Sequence, residues 1–272
     1  MENLLYIIVL VIYSLDLDLS RRKKCSSSVG NGFHNSRLFF RLTGMPDKSE
    51  PVLLAWSSGK DCTLALREIL ASENYEVTLL TTVTEGYDRI SMHGVREELL
   101  RTQAESLSLP IDIVPIPQKC SDEEYRLRME TAMRRHCDRG CRSVVFGDIF
   151  LQGVREYREN NLDRVGMKAL FPLWNRDSLE LSRGFIEAGF QAVATCVDTQ
   201  ALPRSFAGRL YDDSFIAELP PGADPCGENG EFHTFAFDGP IFKWAVRFTK
   251  GEVVLRDDRF CFCDLVPQAS EV

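Results

Sequence analysis

Val52-Leu53-Leu54-Ala55-Trp56-Ser57-Ser58-Gly59-Lys60-Asp61-Cys62 is the stretch from which the fold is read. An apolar run, Val52 to Leu54, meets a small-residue loop and then an amphipathic segment, Thr63 to Ala71. That order predicts strand, tight loop, helix. Such a loop aims backbone N–H groups and a helix N-terminus at one point, and that point binds anions, phosphate above all. Lys60 adds a positive charge there. Asp61 offers a carboxylate to a metal that accompanies phosphates. The Walker pattern G-x-x-x-x-G-K-[ST] is absent.

Outward from this stretch, strand and helix alternate. Glu76–Thr84 reads as a strand, Val95–Leu109 as a helix, and Asp112–Pro117 as a short strand. Ser121 with Glu124 three later forms a capping box that opens a helix to about Cys137, ended by Gly140. Ser143–Ile149 is a further strand. The rhythm predicts an α/β fold, a Rossmann-like parallel sheet with helices on both faces. Ligands bind outside the carboxyl ends of such strands. Three features fall there: the Ser57–Cys62 loop, the Thr84–Gly94 loop, and Gly147-Asp148.

Leu151–Met167 is polar and reads as a linker or mobile lid. A helix from Asp177 to about Ala188, a strand Phe190–Val197, and a helix within 202–219 packed by Leu210, Phe215 and Leu219 follow. The alternation from Ile241 to Leu265 suggests a β-hairpin turning at Lys250-Gly251. The expected division is residues 1–48 as an extension, 49–152 as a nucleotide-binding domain, and 153–268 as a smaller C-terminal α+β substrate domain.

The 272 residues are 44% hydrophobic, enough for a substantial core, and carry a net charge of −8. Residues 1–44 hold +3 of this and the remainder −11, an acidic body that argues against an extended nucleic-acid surface. The nine cysteines lack any C-x-x-C pair. They read as reduced thiols of a cytoplasmic protein rather than as a zinc site. Leu4 to Tyr13 is apolar but shorter than the roughly 20 residues of a spanning helix. The preferred reading is a disordered extension or start-site artefact ahead of Met45, with no membrane role. An uncleaved anchor and a processed targeting peptide are the alternatives.

Asp224-Pro225-Cys226-Gly227-Glu228-Asn229-Gly230-Glu231-Phe232-His233-Thr234 is the densest cluster of chemical groups. Gly227 and Gly230 permit tight turning or close ligand approach. Glu228 and Glu231 offer carboxylates, and His233 is a candidate proton carrier. A polar turn ahead of the final hairpin is the plain structural alternative. His93 reads equally as a pocket-lining group or a loop histidine satisfied by backbone, and His136 as a helix-surface residue. Trp174 reads as a packing anchor, and Arg126, Arg128, Arg134 and Arg135 as a solvated helix face. His34 lies in the extension.

The loop resembles the S-G-G-K-D-S loop of the PP-loop ATP pyrophosphatases, with Ser58 in place of the first glycine and Cys62 in place of the final serine. The stretch G-E-N-G-E-F-H-T resembles the C-terminal motif of the diphthine–ammonia ligase family, ATP-binding amide ligases of that class. Ser91-Met92-His93-Gly94-Val95-Arg96, Val145-Phe146-Gly147-Asp148-Ile149 and Phe171-Pro172-Leu173-Trp174 are similar to that family too, so the resemblance spans about residues 51–248.

The resemblance implies a HUP-type fold and an enzyme that adenylates a substrate carboxylate, releases AMP and pyrophosphate, and amidates it with free ammonium. The cofactors implied are ATP and Mg²⁺. The acceptor is diphthine on elongation factor 2 in eukaryotes and archaea, and an unknown acid in bacteria; a homo-oligomer is compatible. Ser57, Ser58, Gly59, Lys60, Asp61, Cys62, Gly147 and Asp148 then surround the nucleotide, with Asp61 on the metal. Trp56, Thr82 and His93 lie near it, adenine sitting against Trp56 and Thr82-Val83. By residue type, Glu228 or Glu231 takes the ammonium proton. His233, with Gly227, Asn229, Gly230 and Thr234, orients the acceptor. Two rival readings stand beside this one: a nucleotide-binding regulatory module without turnover, kept open by Ser58 and Cys62, and a PP-loop enzyme that modifies tRNA, disfavoured by the acidic balance.

Overall fold

Val52, Leu53 and Leu54 are all buried, so the first strand is covered on both faces, as a central parallel strand must be. The computed structural model describes residues 49–90 and 93–268. Residues 1–48, with His34 and the Leu4–Tyr13 run, lie outside the described residues, as do Ser91 and Met92. In chain order the first half comprises β1 (Glu50–Ala55), α1 (Lys60–Ala71), β2 (Tyr75–Thr84), β3 (Arg89–Ile90), α2 (Glu97–Leu107), β4 (Ile111–Ile116), α3 (Asp122–Asp138), β5 (Ser143–Val145), α4 (Gln152–Asp163) and β6 (Lys168–Leu170). The second comprises α5 (Ser178–Glu187), β7 (Gln191–Asp198), a 3₁₀ turn (Arg204–Phe206), α6 (Asp213–Ala217), β8 (Phe232–Asp238), β9 (Phe248–Arg256) and β10 (Phe260–Pro267).

The first sheet runs β4-β2-β1-β5-β6, all parallel. The short β3 pairs antiparallel with the end of β2 that extends past β1. Helices cover both faces. Leu64, Leu66, Leu99 and Leu100 pack on one side with Val52 and Leu54, while Ala132, Met133 and Leu162 pack on the other with Leu53 and Val144. The α/β architecture expected from the sequence is therefore present. The second sheet is antiparallel, ordered β8-β7-β10-β9, and its inward residues Val193, Phe235 and Cys261 join the same core as α1 and α2. Among the described residues no helix is long and apolar enough to cross a membrane.

Caps are placed where the sequence suggests. Ser121 Oγ accepts from Glu124 N at 3.2 Å, and Asp177 Oδ1 accepts from Glu180 N at 2.9 Å. Four expectations are corrected. The polar stretch after Leu151 is the helix α4, held by Arg155–Glu159 and Gln152–Glu156 pairs at helical spacing and by the Arg155 guanidinium over Phe171 and Trp174. Residues 202–219 form no single helix, because Leu210 is 46% exposed and bridges to Val193 as sheet; only α6 is helical, capped by Asp212. The hairpin turns at Asp257-Asp258, both at positive φ, and Lys250-Gly251 lies inside β9. His136 is buried, its Nε2 2.7 Å from Asp112 Oδ2.

Candidate active site

Helix α1 begins at Lys60 with Gly59 as its N-cap, and glycine has no side chain to cap with. The cap comes from the second motif: Lys60 N donates to Thr234 Oγ1 at 3.1 Å. Beside it Ala236 N donates to Ser58 O at 2.9 Å, so β8 lies directly on the loop. Gln103 completes the joint, its Nε2 donating to Ser58 O at 3.1 Å and to Ala236 O at 2.5 Å, while its Oε1 accepts from the Trp56 indole at 2.8 Å. Ser58 sits at φ 68°, the left-handed region. A glycine adopts that region freely and a serine at a cost, so the family's glycine at this point has a backbone reason. Cys62 does not reach outward. Its thiol turns back onto Gly59 O at 3.0 Å, and burial pushes its pKa up to about 11, so it stays protonated.

Gly147 follows β5 and packs on the first turn of α1. A Cβ there would meet Asp61 C and Cys62 N at 2.9 Å. Only glycine lets the β5 end approach the helix N-terminus so closely. Asp148 stands next in line, its Oδ2 buried without a hydrogen-bond partner.

The second motif is a rigid turn. Asp224 Oδ2 accepts from Cys226 N and Glu228 N, and Glu231 Oε1 accepts from Asp224 N at 2.9 Å and Asn229 Nδ2 at 3.0 Å. Glu231 and Asn229 therefore shape the loop. Glu228 reaches across, its Oε1 accepting from Ile149 N at 2.7 Å and Phe150 N at 3.3 Å. Burial raises its pKa to about 8; the two amide bonds oppose this, and the Asp61 and Asp148 carboxylates add to it.

Lys60 is turned inward, not toward an open phosphate site. Its side chain is 2% exposed, and Nζ donates to both Asp61 oxygens at 2.8 Å and to Cys226 O, with the Tyr211 and Phe232 rings about 5.5 and 5.4 Å away. Burial is the largest single influence and works against its charge, but the Asp61 carboxylate together with Cys226 and Tyr211 holds the ammonium protonated. The His93 and His233 rings lie against each other with centroids 4.6 Å apart, tilted by 42°. Burial lowers His93 to about 4 and His233 well below the ordinary value, so both rings are neutral at pH 7.

These groups surround one cavity of about 420 Å³. Ser57, Lys60, Asp61, Cys62, Thr82 and His93 line it from the first sheet, with Gly147 and Asp148. Gly227, Glu228, Gly230, His233 and Thr234 line it from the second motif. Trp56 contributes a wall, but its indole N–H is occupied by Gln103 and its ring is buried. Asn229 and Glu231 do not line the cavity, nor do Ser58, Gly59 and Val83. Sequence reasoning missed the wall supplied by α3 and α4, including Tyr125, Arg126, Tyr157 and Arg158. The signal was present in α4, where Val154, Tyr157, Arg158 and Asn161 recur at helical spacing, but a polar inward face hides it from a hydrophobicity reading.

A model of the diphthamide synthase N-terminal domain matches residues 51–169, and one of the C-terminal domain matches residues 177–266. The chain belongs to the diphthamide synthase family. Diphthine–ammonia ligase of Bos taurus is 26% identical over 220 residues, covering 73% of this chain and 82% of its own. The Homo sapiens relative of the same name is 26% identical over 221 residues, covering 73% and 83%. That of Schizosaccharomyces pombe is 27% identical, but the match spans only 36% of its length. A solved structure titled as a predicted subunit of tRNA methyltransferase, from Methanocaldococcus jannaschii, aligns with TM-score 0.37 and 18% identity over 53% of this chain and 80% of that one.

For a family whose named relatives are ligases, a phosphate-accompanying metal is the cofactor to test against these residues. Among the described residues no three His, Cys, Asp or Glu side chains form a metal cage. Mg²⁺ needs none, since it binds through one or two carboxylates, phosphate oxygens and water. The Asp61 and Asp148 carboxylates, both lining the cavity, suit that requirement.

Proposed function

We propose that this chain forms an amide from a substrate carboxylate and ammonium at the expense of ATP, a diphthine–ammonia ligase-type reaction with AMP and pyrophosphate as products. The observation that carries this reading is the Thr234–Lys60 joint, which brings the loop and the second motif to one cavity. We assign the nucleotide to residues 49–152 together with α4 and β6, and the acceptor to the remainder up to residue 268.

A carboxylate oxygen is a poor leaving group; ATP, when bound with Mg²⁺, supplies the adenylation that makes it a good one. The α1 N-terminus and the loop at Ser57 hold phosphate oxygens. Asp61 and Asp148 would hold the metal. Lys60 fixes Asp61 and the Cys226 carbonyl at a set separation, and its buried charge acts on the site as preorganised field rather than as a direct phosphate ligand. Glu228 takes the proton of ammonium on its second oxygen, Oε1 being held by Ile149 N. A carboxylate near 8 matches an amine far better than one at the ordinary 4.5. Neutral His93 and His233 position the acceptor by hydrogen bonding. Ser58 and Cys62 both preserve the closed loop, which favours turnover over a binding-only role.

³¹P NMR of the full chain with ATP, Mg²⁺, ammonium and diphthine-bearing elongation factor 2 tests the reading. AMP and pyrophosphate that require both ammonium and the factor support it. ATP bound but uncleaved with the factor present overturns the ligase assignment for that acceptor.

A further inference from the structure

Three cations line the cavity, and two are already committed. Lys60 ends on Asp61 and the Cys226 carbonyl. Arg126 donates to Glu130 at 2.9 Å. The third, Arg158 on α4, is held among the described residues by an ion pair with Asp148 alone. In that pair Nε and Asp148 Oδ2 stand 3.5 Å apart, and both are buried without a hydrogen bond. The guanidinium lies over the Phe146 ring at 4.9 Å, which holds its plane but satisfies no donor.

The Arg158 side chain is 25% exposed and lines the cavity, but its Nε is buried with its hydrogen bond unmade, and native structures keep such groups mainly where something else completes them. Here the two unsatisfied atoms have opposite signs and face each other, on side chains that line the cavity. They are too far apart to hydrogen-bond each other, yet close enough to hold each other in place. The helix that carries Arg158 turns Val154, Tyr157 and Asn161 to the cavity as well, so its inner face is built for a polar occupant rather than for core packing. A planar five-donor fork matches phosphate oxygens, and an arginine stacked on a ring loses little freedom in binding them.

We infer that Arg158 is the cavity's phosphate-anchoring cation, binding the pyrophosphate end of the nucleotide from the side opposite the α1 N-terminus. This rests on the reading that the cavity takes ATP. It moves the direct phosphate contact from the loop lysine, which is buried and tied, to a helix of the opposite wall.

The test is isothermal titration of the full chain with ATP, pyrophosphate and adenosine, for wild type, Arg158→Met and Arg158→Gln, with thermal unfolding of each unliganded protein alongside. Two variants are used so that a folding failure of one leaves the other. Affinity for ATP and pyrophosphate falls tenfold or more in the folded variants, adenosine affinity is unchanged, and the unliganded melting temperature stays near that of wild type. Undiminished pyrophosphate binding by a folded variant overturns the inference. Equal losses for adenosine and pyrophosphate also overturn it, since they report a collapsed wall. A wild-type chain that binds none of the three overturns the ATP reading itself, and this inference with it.

Discussion

Thr234 Oγ1 accepts the backbone N–H of Lys60 at 3.1 Å across 174 positions of sequence. The helix whose N-terminus faces the cavity has a glycine where its own cap would stand, and borrows a hydroxyl from a strand of the other sheet. The amide geometry of the loop and the placement of the second motif are therefore one property of the fold.

Thr234→Val removes that cap and leaves a buried amide unpaired. The expected loss is about 1–2 kcal/mol of stability, while Thr234→Ser costs only a few tenths. Urea unfolding measures both, and nucleotide affinity should fall in parallel with the valine variant. Equal stability of valine and wild type would show that the contact contributes nothing.

Lys60→Met separates two readings of the loop lysine. The sequence suggests a mobile phosphate ligand, whose replacement by alanine abolishes ATP cleavage and leaves the fold intact. The structure has the ammonium buried on Asp61 and Cys226 O, with Asp61 30% exposed. Breaking a buried pair on one side costs about 3 kcal/mol, somewhat less here because water reaches Asp61. Guanidinium unfolding should show a loss of that order together with inactivity; a variant as stable as wild type restores the first reading.

Gly147→Ala drives a Cβ to 2.9 Å from the Asp61–Cys62 peptide. Those atoms are backbone of the α1 first turn and cannot swing away, so the β5 end must retreat. Overpacking of this kind costs about 1–3 kcal/mol. ATP affinity measured by titration is expected to drop more steeply than the melting temperature suggests, because the displaced segment carries Asp148.

The parts of this fold that rest on local pattern were legible. The buried run at Val52–Leu54, the Ser121 and Asp177 caps and the alternation through Val145 each report a short-range physical preference, and the sheet follows from them. The motif around Glu228 was legible as chemistry, but not its division of labour. Glu231 and Glu228 look alike in sequence, and only the fold shows that one pins a turn while the other crosses to Ile149 N. Helix α4 was missed because its inward face is Val-Tyr-Arg-Asn, a face shaped by the cavity and not by the core. The setting of Lys60 was not legible for a related reason. Its partners Cys226, Tyr211 and Phe232 come from more than 150 residues away, and no local rule reports them.

Asp264 on β10 ties the two sheets together. Its carboxylate accepts from Arg89 on β3 at 2.8 Å and from Arg96, the N-cap residue of α2, at 2.6 Å. The Arg96 bond is the main cause that holds its pKa at about 2, below the ordinary 3.8. A depressed carboxyl contributes stability above its unfolded value, and loses it as pH falls through the folded one. Asp264→Asn should therefore cost about 1 kcal/mol at pH 7, a figure kept small by the partial exposure of Arg96. Between pH 4 and pH 2 the gap between variant and wild type should close, as followed by thermal unfolding at stepped pH.

Glu228→Gln tests the proton acceptor through two signs at once. Burial raises the carboxyl from 4.5 to about 8, so the folded state holds its proton longer than the unfolded chain does. That contribution to stability is full below pH 4.5 and is lost as pH rises through about 8. The glutamine variant does not titrate, so it should gain on wild type in melting temperature between pH 5 and pH 9. Its AMP formation should fall about 100-fold or more, the usual cost of losing a general base. The wild-type rate should climb with pH toward a plateau above 8, and that limb should vanish in the variant. A glutamine enzyme that keeps both its rate and its pH profile would place the proton acceptor elsewhere in the cavity.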